Sequence, residues 1–171
     1  MRFNKEYIFT ISILAIILTY SYYYYVKNNY NKINLLWGNI KGNLLYFYYF
    51  SILFSVIAFI LSFIYLLITS SLTEQQSTKL FISLSLMIIF SMFWFPLTLY
   101  YINNKKEIYK YLILLILLGV SLSILYFTII FNNVKEKEYI IFKKIVLYLL
   151  IYFFLHCFFM DFLIWSYHFF K

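Results

Sequence analysis

Between His156 and His168 the chain reads HCFFMDFLIWSYH, a stretch that holds both histidines, the one cysteine and the one aspartate of 171 residues. These side chains can carry protons, pair charges or ligate metals, and they sit inside an otherwise apolar run. An aspartate near the centre of a bilayer costs about 2.5–3.5 kcal/mol on insertion scales, so it should face a bundle interior, a wet cavity or a partner. On an α-helix Cys157, Trp165 and His168 lie at −4, +4 and +7 and share the face of Asp161. His156, five residues back, points elsewhere. A metal site built on Asp161 would then need ligands from segments that offer almost none, so neither a metal nor another cofactor is expected. The lone Cys157 excludes an internal disulfide and a cysteine-based zinc site.

No catalytic set accompanies the acid. HExxH, a nucleophile elbow, a Gly-rich phosphate loop and paired carboxylates are all missing. The chain therefore reads as non-enzymatic. Asp161 is either a neutral, protonated acid bonded to a neighbouring serine or tyrosine, or a proton-carrying group.

The elements that must position it follow from composition. Hydrophobic residues make up 65% of the chain and charged ones 12%, with mean hydropathy +0.85, too few charges to clothe a soluble domain. An all-α integral membrane protein, a single multi-pass domain over residues 1–171, is expected. A bilayer core asks for about 20 apolar residues per helix, and five stretches qualify: 7–26, 44–69, 80–102, 111–131 and 145–170. Such runs are too long for β-barrel strands and must be helices, because lipid offers backbone groups no other partner. Arg2 and Lys5 resemble the n-region of a signal peptide, but no small-x-small site follows the first span, which reads as retained.

Abundant Phe, Tyr, Ile, Asn and Lys are the residues of AT-rich codons and read as genome bias (a protist, an organelle or a large virus). The net charge of +8 is dispersed over short connectors, as loop charge is, so no nucleic acid is expected as a partner. With five spans the basic residues divide seven to seven between the two sides, and the positive-inside rule gives no orientation.

Helices in lipid pack where small residues let backbones approach. Ser51, Ser55, Ala58 and Ser62 form one stripe on the second span, leaving Phe54 and Ile57 on faces free to meet lipid. Ser12, Ala15 and Thr19 form a shorter stripe on the first. Gly119 and Ser123 lie four apart on the fourth. All read as helix seams. Pro96, the only proline, should kink the third span and free the carbonyl of Met92. Pro96 and Asp161 fall at one depth, roughly 10 Å inside the same surface at 1.5 Å per residue. Tyr20, Trp94 and Trp165 lie nearby, and Trp37 caps that side from its connector, read as an interfacial turn with the indole among headgroups. Asp161, Trp165, Trp94, Pro96, Tyr20 and Trp37 are therefore the expected lining of a one-leaflet pocket.

Five spans, the run WGNIKGNLLYFYY and a Trp-x-Pro at Trp94–Pro96 resemble the translocator (tryptophan-rich sensory) protein family, with Trp37, Gly38, Trp94 and Pro96 as the matching positions. That resemblance implies a five-helix bundle binding apolar ligands such as porphyrins or sterols. The family's proline- and tryptophan-rich first loop has no counterpart here. The functional expectation is a membrane protein that holds a small apolar ligand or lipid near Asp161 and Pro96. A structural or assembly subunit partnered by other membrane subunits, and a proton-coupled carrier using Asp161, are the alternatives.

Overall fold

The computed structural model describes residues 3–171, so Arg2, counted above among the N-terminal charges, lies outside the described residues. Five long helices make an all-α bundle: α1 (Lys5–Asn28), α2 (Asn43–Ile68), α3 (Glu74–Asn104), α4 (Glu107–Asn132) and α5 (Ile140–Phe170). Each is long and apolar enough to cross a membrane.

Most of the helices start before the expected spans, because their first turns hold polar and charged residues that hydropathy does not count; α1 and α3 also carry side-chain caps. Thr73 and Gln76 exchange hydrogen bonds, Gln76 N–H to Thr73 Oγ1 at 3.2 Å and Thr73 N–H to Gln76 Oε1 at 3.0 Å. This reciprocal cap starts α3 at Glu74, six residues before its apolar run. Pro96 lies inside α3 without ending it.

Around the bundle the order is α1, α3, α4, α5, α2. Helix α3 packs along α4, α4 along α5, and α5 along α2, while α1 leans on α3. Among the described residues no comparable seam joins α1 to α2, so the ring is open on that side.

The α2 stripe does face a neighbour. Ser51, Ser55, Ala58 and Ser62 are all buried, on the helix that packs against α5. Ile57 is exposed, and Phe54 rests between the rings of Phe50 and Tyr152. On α4, a Cβ added to Gly119 would stand 2.9 Å from the Phe90 ring of α3. This glycine is where the α3–α4 seam closes most tightly.

Contacts at the helix ends fix which connectors are neighbours. Tyr7 OH meets Thr78 Oγ1 at 3.2 Å, joining the starts of α1 and α3. The last turns of α5 instead meet the α1–α2 connector, where Trp165 Nε1 donates to Leu36 O at 2.8 Å and Asn39 N–H to His168 O at 3.1 Å. Lys5 and Lys171 thus lie at opposite ends of the bundle.

The connector between α1 and α2 is a 3-10 helix, Tyr30–Trp37, and Trp37 packs on Tyr48 and Tyr49 at 5.3 and 5.0 Å. Gly38 makes the close approach feasible. Its φ is +54°, and a Cβ there would sit 2.7 Å from both His168 O and Phe169 Cα.

Candidate functional site

From His156 to Trp165, α5 widens into a π-helix of ten residues. Such i→i+5 turns usually occur singly, as bulges, and frequently mark functional sites. The wider turn brings residues five apart onto one face. On an α-helix His156 and Asp161 would diverge by about 140°. Here His156 Nε2 lies 3.5 Å from Asp161 Oδ2, which overturns the expectation that these two residues point apart.

The pair is the middle of a longer polar chain. Tyr48 OH of α2 donates to Asp161 Oδ1. On the far side of the imidazole, Ser51 Oγ lies 2.7 Å from His156 Nδ1 and 2.7 Å from Tyr152 OH. Tyr152, Ser51, His156, Asp161 and Tyr48 therefore form a continuous run of exchangeable groups between α2 and α5. Its order includes a Ser–His–Asp alignment, but Ser51 is closed between the two helices at 2% exposure. A nucleophilic serine needs access to a carbonyl and nearby oxyanion donors, and here the surrounding backbone is committed to helices. The arrangement is suited to holding a polar group at Asp161 or relaying a proton, not to attack by Ser51.

Asp161 opens onto a cavity of about 520 Å³ to which all five helices contribute, within the ~300–1,000 Å³ usual for small-molecule sites. One end is apolar, built by Leu18, Ile52, Phe59, Ile88 and Val120. The other carries Asp161, His156, Cys157, Tyr48 and the chain's three tryptophans, Trp37, Trp94 and Trp165. Trp94 and Trp165 meet edge to face at 5.4 Å. Among the described residues the buried Trp94 Nε1 has no hydrogen-bond partner. Thr19 of α1 and Val56 of α2 line the cavity yet are exposed on the outer surface. The mouth thus lies in the gap between α1 and α2, and Ala15 and Thr19 edge this opening rather than a helix seam.

Four of the six expected lining residues, Asp161, Trp165, Trp94 and Trp37, meet in this cavity. Two do not. Tyr20 is 66% exposed and points away; Tyr22, about 200° further round α1, faces inward instead and donates to Ser91 O at 3.0 Å. Pro96 is partly buried on another face of α3, and its neighbour Trp94 supplies the contact. Ser55, expected as a seam residue only, also borders the cavity. Tyr48 and Tyr22 escaped notice because tyrosine is so abundant that no single one stands out. His156 was hidden by the assumption of α-helical spacing. Among the described residues no group of three His, Cys, Asp or Glu side chains is placed to hold a metal ion.

A second acid cluster lies at the opposite end, in the α4–α5 connector. Glu136 accepts from Thr69 Oγ1 (2.7 Å), Tyr65 OH (2.9 Å) and Ser71 Oγ (3.3 Å). The backbone N–H groups of Lys137 and Glu138 add bonds of 2.8 and 2.9 Å. Burial alone would raise this carboxyl's pKa, but the Thr69 hydroxyl, the Glu138 amide, the Tyr65 hydroxyl and the Lys137 amide outweigh it and hold it down at about 2.

Comparisons with protein-family models, with curated proteins and with solved structures find no match to this chain. The likeness to the translocator family therefore rests on Trp37, Gly38, Trp94 and Pro96, of which the two tryptophans line the cavity.

Proposed function

We propose that this chain is a non-enzymatic, multi-pass membrane protein that takes a small apolar or amphipathic molecule from the lipid phase into the cavity between its helices. The observation that carries this reading is the cavity itself, about 520 Å³ in volume, apolar at one end and polar at Asp161. Such sites are mostly apolar with a few placed polar groups that fix orientation. The opening between α1 and α2 supports entry from the bilayer rather than from water.

The three tryptophans make the test direct, since all of them line the cavity. In nanodiscs of uncharged lipid, 2-bromonaphthalene, a neutral contact quencher, should quench tryptophan fluorescence saturably. In Ser55→Phe, which fills the cavity wall, quenching should revert to the linear dependence of simple partitioning. Linear quenching in both proteins would sink the reading. A structural or assembly subunit would instead purify only with an obligate partner.

The run from Tyr152 to Tyr48 favours a second reading, a proton-coupled carrier. A pH gradient across liposomes should then drive flux of the bound molecule, and Asp161→Asn should abolish it with the fold intact. Gradient-independent flux would reject coupling.

A further inference from the structure

The cavity's charge is out of character with its chain. The protein carries 14 basic residues against 6 acidic ones, yet among the described residues no lysine or arginine lines the cavity, and Asp161 is its only acid. The other titratable side chains lining it are His156, Cys157, Tyr22 and Tyr48. The Asp161 side chain keeps 26% of its surface open. Its spacing of 3.5 Å from His156 is too long for a closed charge-assisted bond, which runs about 2.7–2.9 Å. The carboxylate is therefore not consumed by its neighbour.

Five aromatic residues line the same cavity: Trp37, Trp94 and Tyr22 are partly open, while Trp165 and Tyr48 are packed behind them at 1% and 2% exposure. Their planes are set at differing angles: Trp37 against Tyr48 at 68°, Trp94 against Trp165 at 64°, and Tyr22 against Trp94 at 21°. Tyr48 also donates to Asp161, so rings and acid form one cluster. Ring faces carry negative potential, tryptophan's most of all, and several of them set at different angles around a carboxylate form the recognised environment for alkylated ammonium groups. An anionic ligand would meet the carboxylate, whereas a cation would pair with it among the ring faces.

Building on the cavity reading above, we infer that the ligand class is a lipophilic organic cation: an apolar body with a substituted ammonium head held by Asp161 and the tryptophan–tyrosine cluster. The body lies toward Ile52, Phe59 and Ile88, and the head enters last through the gap between α1 and α2.

The experiment compares two probes of one shape in uncharged nanodiscs, read by tryptophan quenching. One is (6-bromo-2-naphthyl)methyl-trimethylammonium. The other is 2-bromo-6-neopentylnaphthalene, in which carbon replaces the charged nitrogen. The cation should bind about tenfold or more tightly than its isostere, the factor expected of desolvated cation–ring and carboxylate contacts. The preference should collapse in Asp161→Asn. Equal binding, or tighter binding of the neutral isostere, overturns the cation inference and leaves the cavity reading standing. Saturation by neither probe overturns both. Should Asp161→Asn fail to fold, the wild-type ratio still decides.

Discussion

Two of the chain's six acids, Glu136 and Asp161, lie toward opposite ends of the bundle, and their surroundings are opposites. Glu136 receives five hydrogen bonds that tie the end of α2 to the α4–α5 connector. Asp161 accepts from the Tyr48 hydroxyl and the Cys157 thiol, with His156 nearby, and opens onto a cavity. A saturated carboxylate has no capacity left for anything but holding its donors in place. A half-satisfied one in a roomy site still has bonds to offer, and that residual capacity marks a binding group. The difference separates a strut from a site without reference to any relative.

The largest effect should come from Glu136→Ala. It strands the hydroxyls of Tyr65 and Thr69, both at 0% exposure, and each stranded buried polar group costs about 1–3 kcal/mol. A loss of about 3 kcal/mol or more is expected in thermal unfolding in detergent, with quenching at the cavity retained. A loss below about 0.5 kcal/mol would show that the cluster is incidental and break the comparison.

Acid should produce the same loosening more gradually. A carboxyl held near 2 in the folded protein, against 4.5 ordinarily, contributes stability that is present above 4.5. That contribution falls away as pH drops toward 2. Thermal midpoints should decline across this window in the parent more steeply than in Glu136→Gln. Parallel pH curves for the two proteins would refute the assignment.

Asp161→Asn sits next in size. Asparagine keeps an acceptor for Tyr48, so the cost should stay within about 1 kcal/mol, while the preference for a cationic probe disappears. A protein that unfolds on this change would make Asp161 a second strut.

How much of this was legible beforehand depended on which physical signal each residue carries. The five helices follow from apolar length, and the α2 stripe of Ser51, Ser55, Ala58 and Ser62 from its spacing. Asp161 and the three tryptophans stood out because they are rare. The π register was invisible, since HCFFMDFLIWSYH contains neither glycine nor proline to announce a departure from 3.6 residues per turn. With it went the partnership of His156 and Asp161. Depth alone points to Tyr20, whereas rotation about the helix turns Tyr22 inward. Glu136 was passed over as one more connector charge, its donors lying 65 to 71 residues away in sequence. The Thr73–Gln76 cap, a local pattern, starts α3 at Glu74, ahead of the expected span from residue 80, because apolar length alone does not register a polar first turn.

The finest test uses one tyrosine at each acid. Tyr65 donates to Glu136 at 2.9 Å and Tyr48 to Asp161, so Tyr→Phe removes the same hydroxyl from both settings. At Glu136 four donors remain, and Tyr65→Phe should cost about 1 kcal/mol, near the net worth of one hydrogen bond, leaving probe binding unchanged. At Asp161 the Tyr48 hydroxyl goes while the Cys157 thiol remains, and the carboxylate faces a cavity where a ligand or water can replace the lost donor. Tyr48→Phe should therefore move the thermal midpoint less than Tyr65→Phe while changing the cation-to-isostere ratio. Its direction is upward, because the freed Oδ1 can turn wholly to the ammonium head. Paired thermal melts and quenching titrations on the two variants read both quantities. If Tyr65→Phe alters the ratio and Tyr48→Phe only the midpoint, the roles of the two acids are reversed.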